Sequence, residues 1–234
     1  MDLAKPRMDF GLTTSGDLAP MLRFWQDEVG LPFDHLLKIR PGHDQHRHDA
    51  LGSVIKINHT ATPPPEGPPT GYRELYIARE GLAEPKPMVD PDGDKVTLVP
   101  KGWRGIGQIG VRLAVRSLAA HRRFYTEALG LTEEPWDGGA AFRAAESLLI
   151  VEERADAPQP GVRPGGRGWG YITFQIFKVD KEHAFALAHG AGEAVAPVTL
   201  GTTARISMIT DPDGNRIELS QRASIVGSLE PQTA

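Results

Sequence analysis

Residues 17–31, DLAPMLRFWQDEVGL, return 100 positions later as residues 117–131, SLAAHRRFYTEALGL. The two segments align without a gap: Leu18 with Leu118, Arg23 with Arg123, Phe24 with Phe124, Trp25 with Tyr125, and Gly30-Leu31 with Gly130-Leu131. Each reads as an amphipathic helix. In the first, Leu18, Met21, Leu22, Trp25 and Val29 form one apolar stripe at helical spacing. Asp17 and Ser117 stand where N-caps belong. Gly30 and Gly130 stand where a helix closes on a left-handed residue.

Two further pieces repeat around this pair. GYRELYIA, opening at Gly71-Tyr72, matches GYITFQI, opening at Gly170-Tyr171, and DPDGDKVTL (90–98) matches DPDGNRIEL (211–219). An Asp-Gly turn followed by alternation announces a strand. A Pro/Gly-rich loop precedes each Gly-Tyr strand: TATPPPEGPPT (60–70) and ADAPQPGVRPGGRG (155–168). Recurring at the same place, these loops read as connectors inside domains, and the boundary falls near Pro100–Gly105. That divides the chain into a domain over 8–100, a domain over 105–222 and a tail over 223–234. The second domain reads as strand, helix, three strands, twice over, so the fold class is α+β with βαβββ units. In the first, only about a dozen residues separate the Tyr76-Ile77 strand from the DPDG turn. A second helix has no room there, so this domain is shortened.

The 234 residues are 40% hydrophobic and 24% charged, with a net charge of -4, an ordinary globular composition that gives no electrostatic pull toward nucleic acid or anionic membranes. No apolar run approaches the ~20 residues of a membrane span. MDLAKPRMDF has no apolar signal-peptide core. With no cysteine, disulfides and thiolate metal ligands are excluded. The expectation is a cytoplasmic monomer or homodimer whose partner is a small molecule, with no nucleic acid and no membrane.

The combination of FY-x-x-x-LGL with DPDGN-x-IEL resembles the glyoxalase / bleomycin resistance protein / extradiol dioxygenase (vicinal oxygen chelate) superfamily. The resemblance covers nearly all of 105–222 and, more weakly, 8–100. It implies two tandem domains, each a cup of eight curved strands, in which His, Glu or Gln hold a divalent metal that chelates two neighbouring substrate oxygens. Carried over one by one, the first ligand position falls on Phe10 and Gly110, and the second on Lys56 and Leu149. The third falls on Tyr72 and Tyr171, the fourth on Thr97 and Glu218. Only Glu218 binds a metal well, and one carboxylate does not make a site where three or more protein ligands are wanted.

Polar residues nevertheless gather. Five of the eight histidines lie between residues 35 and 59. His46 and His48 share a strand face, as do Lys56 and Asn58, and as do Tyr72, Glu74 and Tyr76. Grouped in one cup of the first domain, they offer Glu74 or His48 as a base, Lys56 and Tyr72 to stabilise an oxyanion, and Asn58 and Tyr76 to bind substrate. Alternatively His46, His48 and Glu74 form a relocated site for Fe, Mn or Zn. The plainest alternative is a solvated histidine hairpin beside a Glu74–Lys56 ion pair. In the second domain the candidate cup is Gln108, Arg112, Tyr171, Thr173, Gln175 and Glu218. There Arg112 either pairs with Glu218 or holds a substrate carboxylate. His121, His183 and His189 read as surface residues, and Trp103, Trp136 and Trp169 as pocket walls or core covers. Two functions compete: a lyase, isomerase or dioxygenase acting on a small oxygenated metabolite, and a metal-free binding protein of the bleomycin-resistance type. A purely structural dimerisation module is a third.

Overall fold

A computed structural model describes residues 1–159 and 166–230. The middle of the second Pro/Gly loop and the end of the expected tail lie outside them.

The chain forms four successive units. The first is β1 (Leu3–Ser15), α1 (Ala19–Arg23), β2 (Phe33–Arg40), β3 (His43–Ala50) and β4 (Ser53–Thr60). The second has strands alone: β5 (Tyr72–Arg79), β6 (Lys86–Val89) and β7 (Lys95–Pro100). The third is β8 (Ile109–Val115), α2 (Leu118–Arg123), β9 (Thr132–Trp136), β10 (Gly139–Ala144) and β11 (Ser147–Glu153). The fourth is β12 (Gly168–Ile176), α3 (Val179–Ala188), β13 (Gly192–Leu200), β14 (Ala204–Thr210) and β15 (Arg216–Arg222), followed by α4 (Ala223–Val226). The second unit lacks its helix, as its length required. No helix among the described residues is long and apolar enough to cross a membrane.

The repeated helices fold alike in detail. Each widens into a π-helical turn, Phe24–Glu28 and Phe124–Ala128, that turns its aromatic pair into the core. Each then closes on its glycine, at φ +72° for Gly30 and +65° for Gly130. The next leucine donates back six residues, Leu31 to Trp25 and Leu131 to Tyr125, both at 2.9 Å. Ser117 caps α2 by accepting from the Ala120 amide, and Asp17 accepts from the Ala19 amide.

The units do not pair with their neighbours in the way the two sequence halves suggest. The eight-stranded sheet runs β13-β14-β15-β12-β1-β4-β3-β2 and joins the first unit to the fourth. The seven-stranded sheet runs β6-β7-β5-β8-β11-β10-β9 and joins the second to the third. At each junction two first strands meet antiparallel, β1 with β12 and β5 with β8, flanked by the parallel pairs β1–β4, β12–β15, β5–β7 and β8–β11. One apolar cluster, including Phe10, Trp25, Tyr72, Phe142 and Phe174, draws on both sheets and both repeated helices. Each sheet keeps its other face for a cup.

Candidate functional site

The eight-stranded sheet is strongly rolled, and its own contacts show it. Lys56 on β4 and Glu218 on β15 are separated by β1 and β12, about 14 Å on a flat sheet at the usual strand spacing. Yet the Lys56 ammonium lies 3.2 and 3.3 Å from the two Glu218 oxygens and donates to Thr173 Oγ1 at 2.7 Å. The Tyr171 ring lies under it, 5.3 Å to the centroid. Burial pulls the Lys56 pKa down, and the charge of Glu218 works against that.

A hydrogen-bonded layer extends from this pair. Asn58 donates to the Leu12 carbonyl and to the Tyr171 hydroxyl, and its own oxygen accepts from Gln45. Arg47 donates to the Gln45 oxygen at 2.8 Å. Gln175 donates to Asp9, whose other oxygen accepts from the Val54 amide and pairs with Arg7 at 2.9 Å. Burial, with Glu218 nearby, raises the Tyr171 pKa. Asp9, Gln45, Arg47, Lys56, Asn58, Thr173 and Gln175 are all buried. This layer opens to a cleft of about 540 Å³ bordered by Arg7, Arg47, Asp49, Val54 and Arg222.

The seven-stranded cup is furnished with similar chemistry and then filled. Glu74 pairs with Arg112 at 3.0 Å and accepts from Thr97 at 2.6 Å and Tyr76 at 3.1 Å. Burial and Glu74 push the Tyr76 phenol up to about 12. Above this cluster Ile106 packs with Tyr76, Ala78, Ile150 and Trp103. A side chain at Gly110 would meet Ile106 at 2.6 Å, so the chain's own loop occupies the space that glycine leaves. Arg104 closes the top, stacked 4.4 Å from the Trp136 centroid.

The expected site residues are thus divided between two sheets. Lys56, Asn58, Tyr171, Thr173, Gln175 and Glu218 come together. Glu74, Tyr76 and Arg112 form the other cluster, so the expected Glu74–Lys56 and Arg112–Glu218 pairs are replaced by Lys56–Glu218 and Glu74–Arg112. Gln108 lies apart, accepting from Ser53 and Ser147 where equivalent strands of the two sheets touch.

Tyr72 faces the core, its ring 5.3 Å from Phe10, because a register shift between Tyr72 and Glu74 turns it off the face it was expected to share. Phe10 and Leu149 are core residues too. In the strand pairing Gly11 stands opposite Lys56 and Arg112 opposite Ile150, so Asp9 and Ile150 take the cup-facing places.

His46 and His48 pair with Ile57 and Ile55, on the face opposite Lys56. Burial and His46 hold the His48 pKa down to about 4, and the neutral ring meets the Gln26 amide at 3.0 Å. Burial lowers the His46 pKa as well. The structure therefore does not bring His46, His48 and Glu74 into one site, and no cluster of three such ligands occurs among the described residues. Two other histidines expected at the surface are buried: His121 beside Asp211 at 3.3 Å, and His183 against Glu193 at 2.9 Å. Burial draws the His121 pKa down, but the bond and charge of Asp211 outweigh it and raise it.

The residues missed in the sequence are Asp9, Gln45, Arg47 and Arg222. Alternation held the signal: once Lys56 and Asn58 face the cup, the antiparallel register puts their partners Arg47 and Gln45 there, not the histidines between them.

A divalent metal does not fit this donor set. Around the cup floor stand a buried ammonium, a threonine hydroxyl, a phenol and one carboxylate already bound to that ammonium. A fixed cation repels a second, and ammonium nitrogen has no lone pair to give.

Rolled sheets around polar cup floors, one of two βαβββ units and one of a βαβββ unit with a helix-less one, define a tandem glyoxalase-type fold. Residues 105–219 match the model of the Glyoxalase/Bleomycin resistance protein/Dioxygenase superfamily, and the chain belongs to that superfamily. Among solved structures, a single-site mutant of glyoxalase I from Zea mays superimposes with a TM-score of 0.70 at 15% identity, covering 95% of this chain and 97% of that one. Another crystal structure of glyoxalase I from Zea mays gives 0.69 at 16%, covering 92% of each. At these identities the likeness is one of fold. A sequence search of the curated proteins finds no match.

Proposed function

We propose that the protein is a small-molecule module that works through the eight-stranded cup without a divalent metal. It holds an oxygenated metabolite at the cleft that Arg7, Arg47 and Arg222 border, where the polar layer around Lys56 reaches the surface through Arg47. One observation carries this reading: a buried Lys56 Nζ, 2.7 Å from Thr173 and 3.2 Å from Glu218, supplies a fixed positive charge where four central strands converge. Hydrogen bonds to a charged donor in a dry site are the strong ones, so the ammonium, its donors taken by Thr173 and Glu218, fixes the polar floor of the cup. The cleft's volume is that of ordinary small-molecule pockets.

The reading favours binding over turnover, because Lys56, Glu218, Thr173, Tyr171 and Asn58 already satisfy one another. A second reading, lyase or isomerase chemistry at the same place, is favoured by the lowered Lys56 pKa beside a carboxylate, a pairing suited to moving a proton.

Elemental analysis tests the metal-free part on the full chain purified from medium supplemented with manganese, iron, nickel and zinc. Substoichiometric metal and an unchanged melting temperature after chelation are expected. A stoichiometric metal whose removal lowers the melting temperature would overturn the proposal. For a bound metabolite, NMR of the mixture separates the two readings: an unchanged ligand supports binding, and a product supports turnover.

A further inference from the structure

The mouth of the eight-stranded cup carries more positive charge than its own acids neutralise. Three arginines from three strands border one cleft: Arg7 on β1, Arg47 on β3 and Arg222 at the end of β15. Arg7 is accounted for, paired with Asp9 at 2.9 Å and donating to the Gly52 carbonyl. Arg47 is not. Its residue is 2% exposed, its one hydrogen bond goes to the neutral Gln45 oxygen, and its Nε is buried without a partner. The Arg222 side chain makes no hydrogen bond or ion pair among the described residues, and burial together with the Arg47 guanidinium lowers its pKa.

The nearby acids are committed elsewhere. Glu218 belongs to Lys56 and Asp9 to Arg7, while Asp34, beside the His35 ring at 3.0 Å, and Asp49, accepting from the Gly52 amide, lie on the rim and form no ion pair with Arg47 or Arg222 among the described residues. Two adjoining guanidiniums without a counter-ion are costly in a folded chain. The arrangement makes sense if an anion from solution completes it. Two planar forks on one cleft match the two coplanar oxygens of a carboxylate or the oxygens of a phosphate. The cleft continues past them along Phe33, Val54 and Ile225, an apolar wall for the rest of a small organic molecule.

We propose that Arg47 and Arg222 form an anion subsite, so that the ligand of this cup is a small organic anion carrying a carboxylate or phosphate head. The assignment rests on the reading of this cup as the ligand site and narrows its ligand class.

The test uses the full chain and three probes of one shape: benzoate, phenyl phosphate and neutral benzamide. Calorimetry and melting temperature are read at matched ionic strength. Benzoate or phenyl phosphate should bind and raise the melting temperature, benzamide should not, and which anion binds more tightly identifies the head group. Arg222→Gln should weaken the anion about tenfold or more, the worth of a lost charge-assisted contact. Because it also removes an unpaired charge, the unliganded variant should melt no lower than the parent, whereas a merely structural arginine would leave a less stable protein. Arg47→Met should lose the anion as well, and Arg222→Gln keeps the test decisive if that buried change unfolds the chain.

Equal binding of benzamide and benzoate would overturn the anion subsite while leaving the cup as a ligand site. Anion affinity unchanged in Arg222→Gln would overturn it too. A stoichiometric structural metal would overturn the underlying reading instead.

Discussion

At the scale of single residues, the two DPDG turns form an internal control, differing where Asn215 answers Asp94. In both, the leading aspartate accepts from two backbone amides through one oxygen: Asp211 from Asp213 and Asn215, Asp90 from Asp92 and Asp94. The second oxygen of Asp211 is met by the Asn215 amide at 2.9 Å, by Tyr125 and by His121. Asp94 has no amide to give, so the second oxygens of Asp90 and Asp94 are buried without partners. Burial first, then the charge of Asp92 on Asp90 and the charges of Asp90 and Asp92 on Asp94, push Asp90 up to about 6 and Asp94 up to about 7. Both folded pKa values lie above the unfolded value near 3.8. The stability they contribute is therefore complete below about pH 4 and is lost as pH rises through 6 to 7. Asp94→Asn restores the donor and removes one charge. It should stabilise the protein by on the order of 2 kcal/mol at pH 8, several degrees in melting temperature, and by far less at pH 5. Melting curves at the two pH values check this; an equal shift at both would show that the pair does not titrate in the folded state.

At the scale of elements, what the sequence made legible was local and what it hid was register. The helices were readable because apolar spacing, cap and terminal glycine all lie within fifteen residues, and the DPDG strands because a turn fixes the alternation that follows. The site was half readable. Lys56, Asn58, Tyr171, Gln175 and Glu218, expected in two different cups, lie in one. Tyr72 went wrong because a bulge in β5 reverses the side chains on its two sides, Phe10 because it is one residue out of step with Asp9 and Gly11, which face the cup, and Gln45 and Arg47 escaped because only the β3–β4 register shows which face of β3 turns inward. Gly11 illustrates how tightly such a register is held. A β-carbon there would sit 2.4 to 2.9 Å from the Tyr171 ring, the ring whose hydroxyl accepts from Asn58 and Gln45. Gly11→Ala should cost about 1–3 kcal/mol through this overpacking. The cost should shrink in a Tyr171→Leu background, where the ring is gone. An equal loss of melting temperature in both backgrounds would place the strain elsewhere in β1.

At the scale of the molecule, neither cup belongs to one half of the chain. Lys56 and Glu218 lie 162 residues apart and share one buried ion pair, and β1 finds its antiparallel partner in β12. This arrangement answers a difficulty of the βαβββ unit: its first strand is left with an open edge. In the whole chain β12 is covered by β1 and β8 by β5, so both central edges are closed by the other half. A fragment starting at residue 105 retains β8 and β12 but loses both covers. Two copies restore them without altering either unit, because β8 of one molecule can lie antiparallel to β12 of the other, twice, about a two-fold axis. The fragment should therefore be a homodimer by light scattering, or be unfolded, and adding the 1–104 fragment should convert it to a one-to-one complex that melts near the intact chain. A folded monomer of the 105–234 fragment would mean that β8 and β12 close on each other within one half, and that the pairing of first unit with fourth is a consequence of chain order rather than a requirement of the fold.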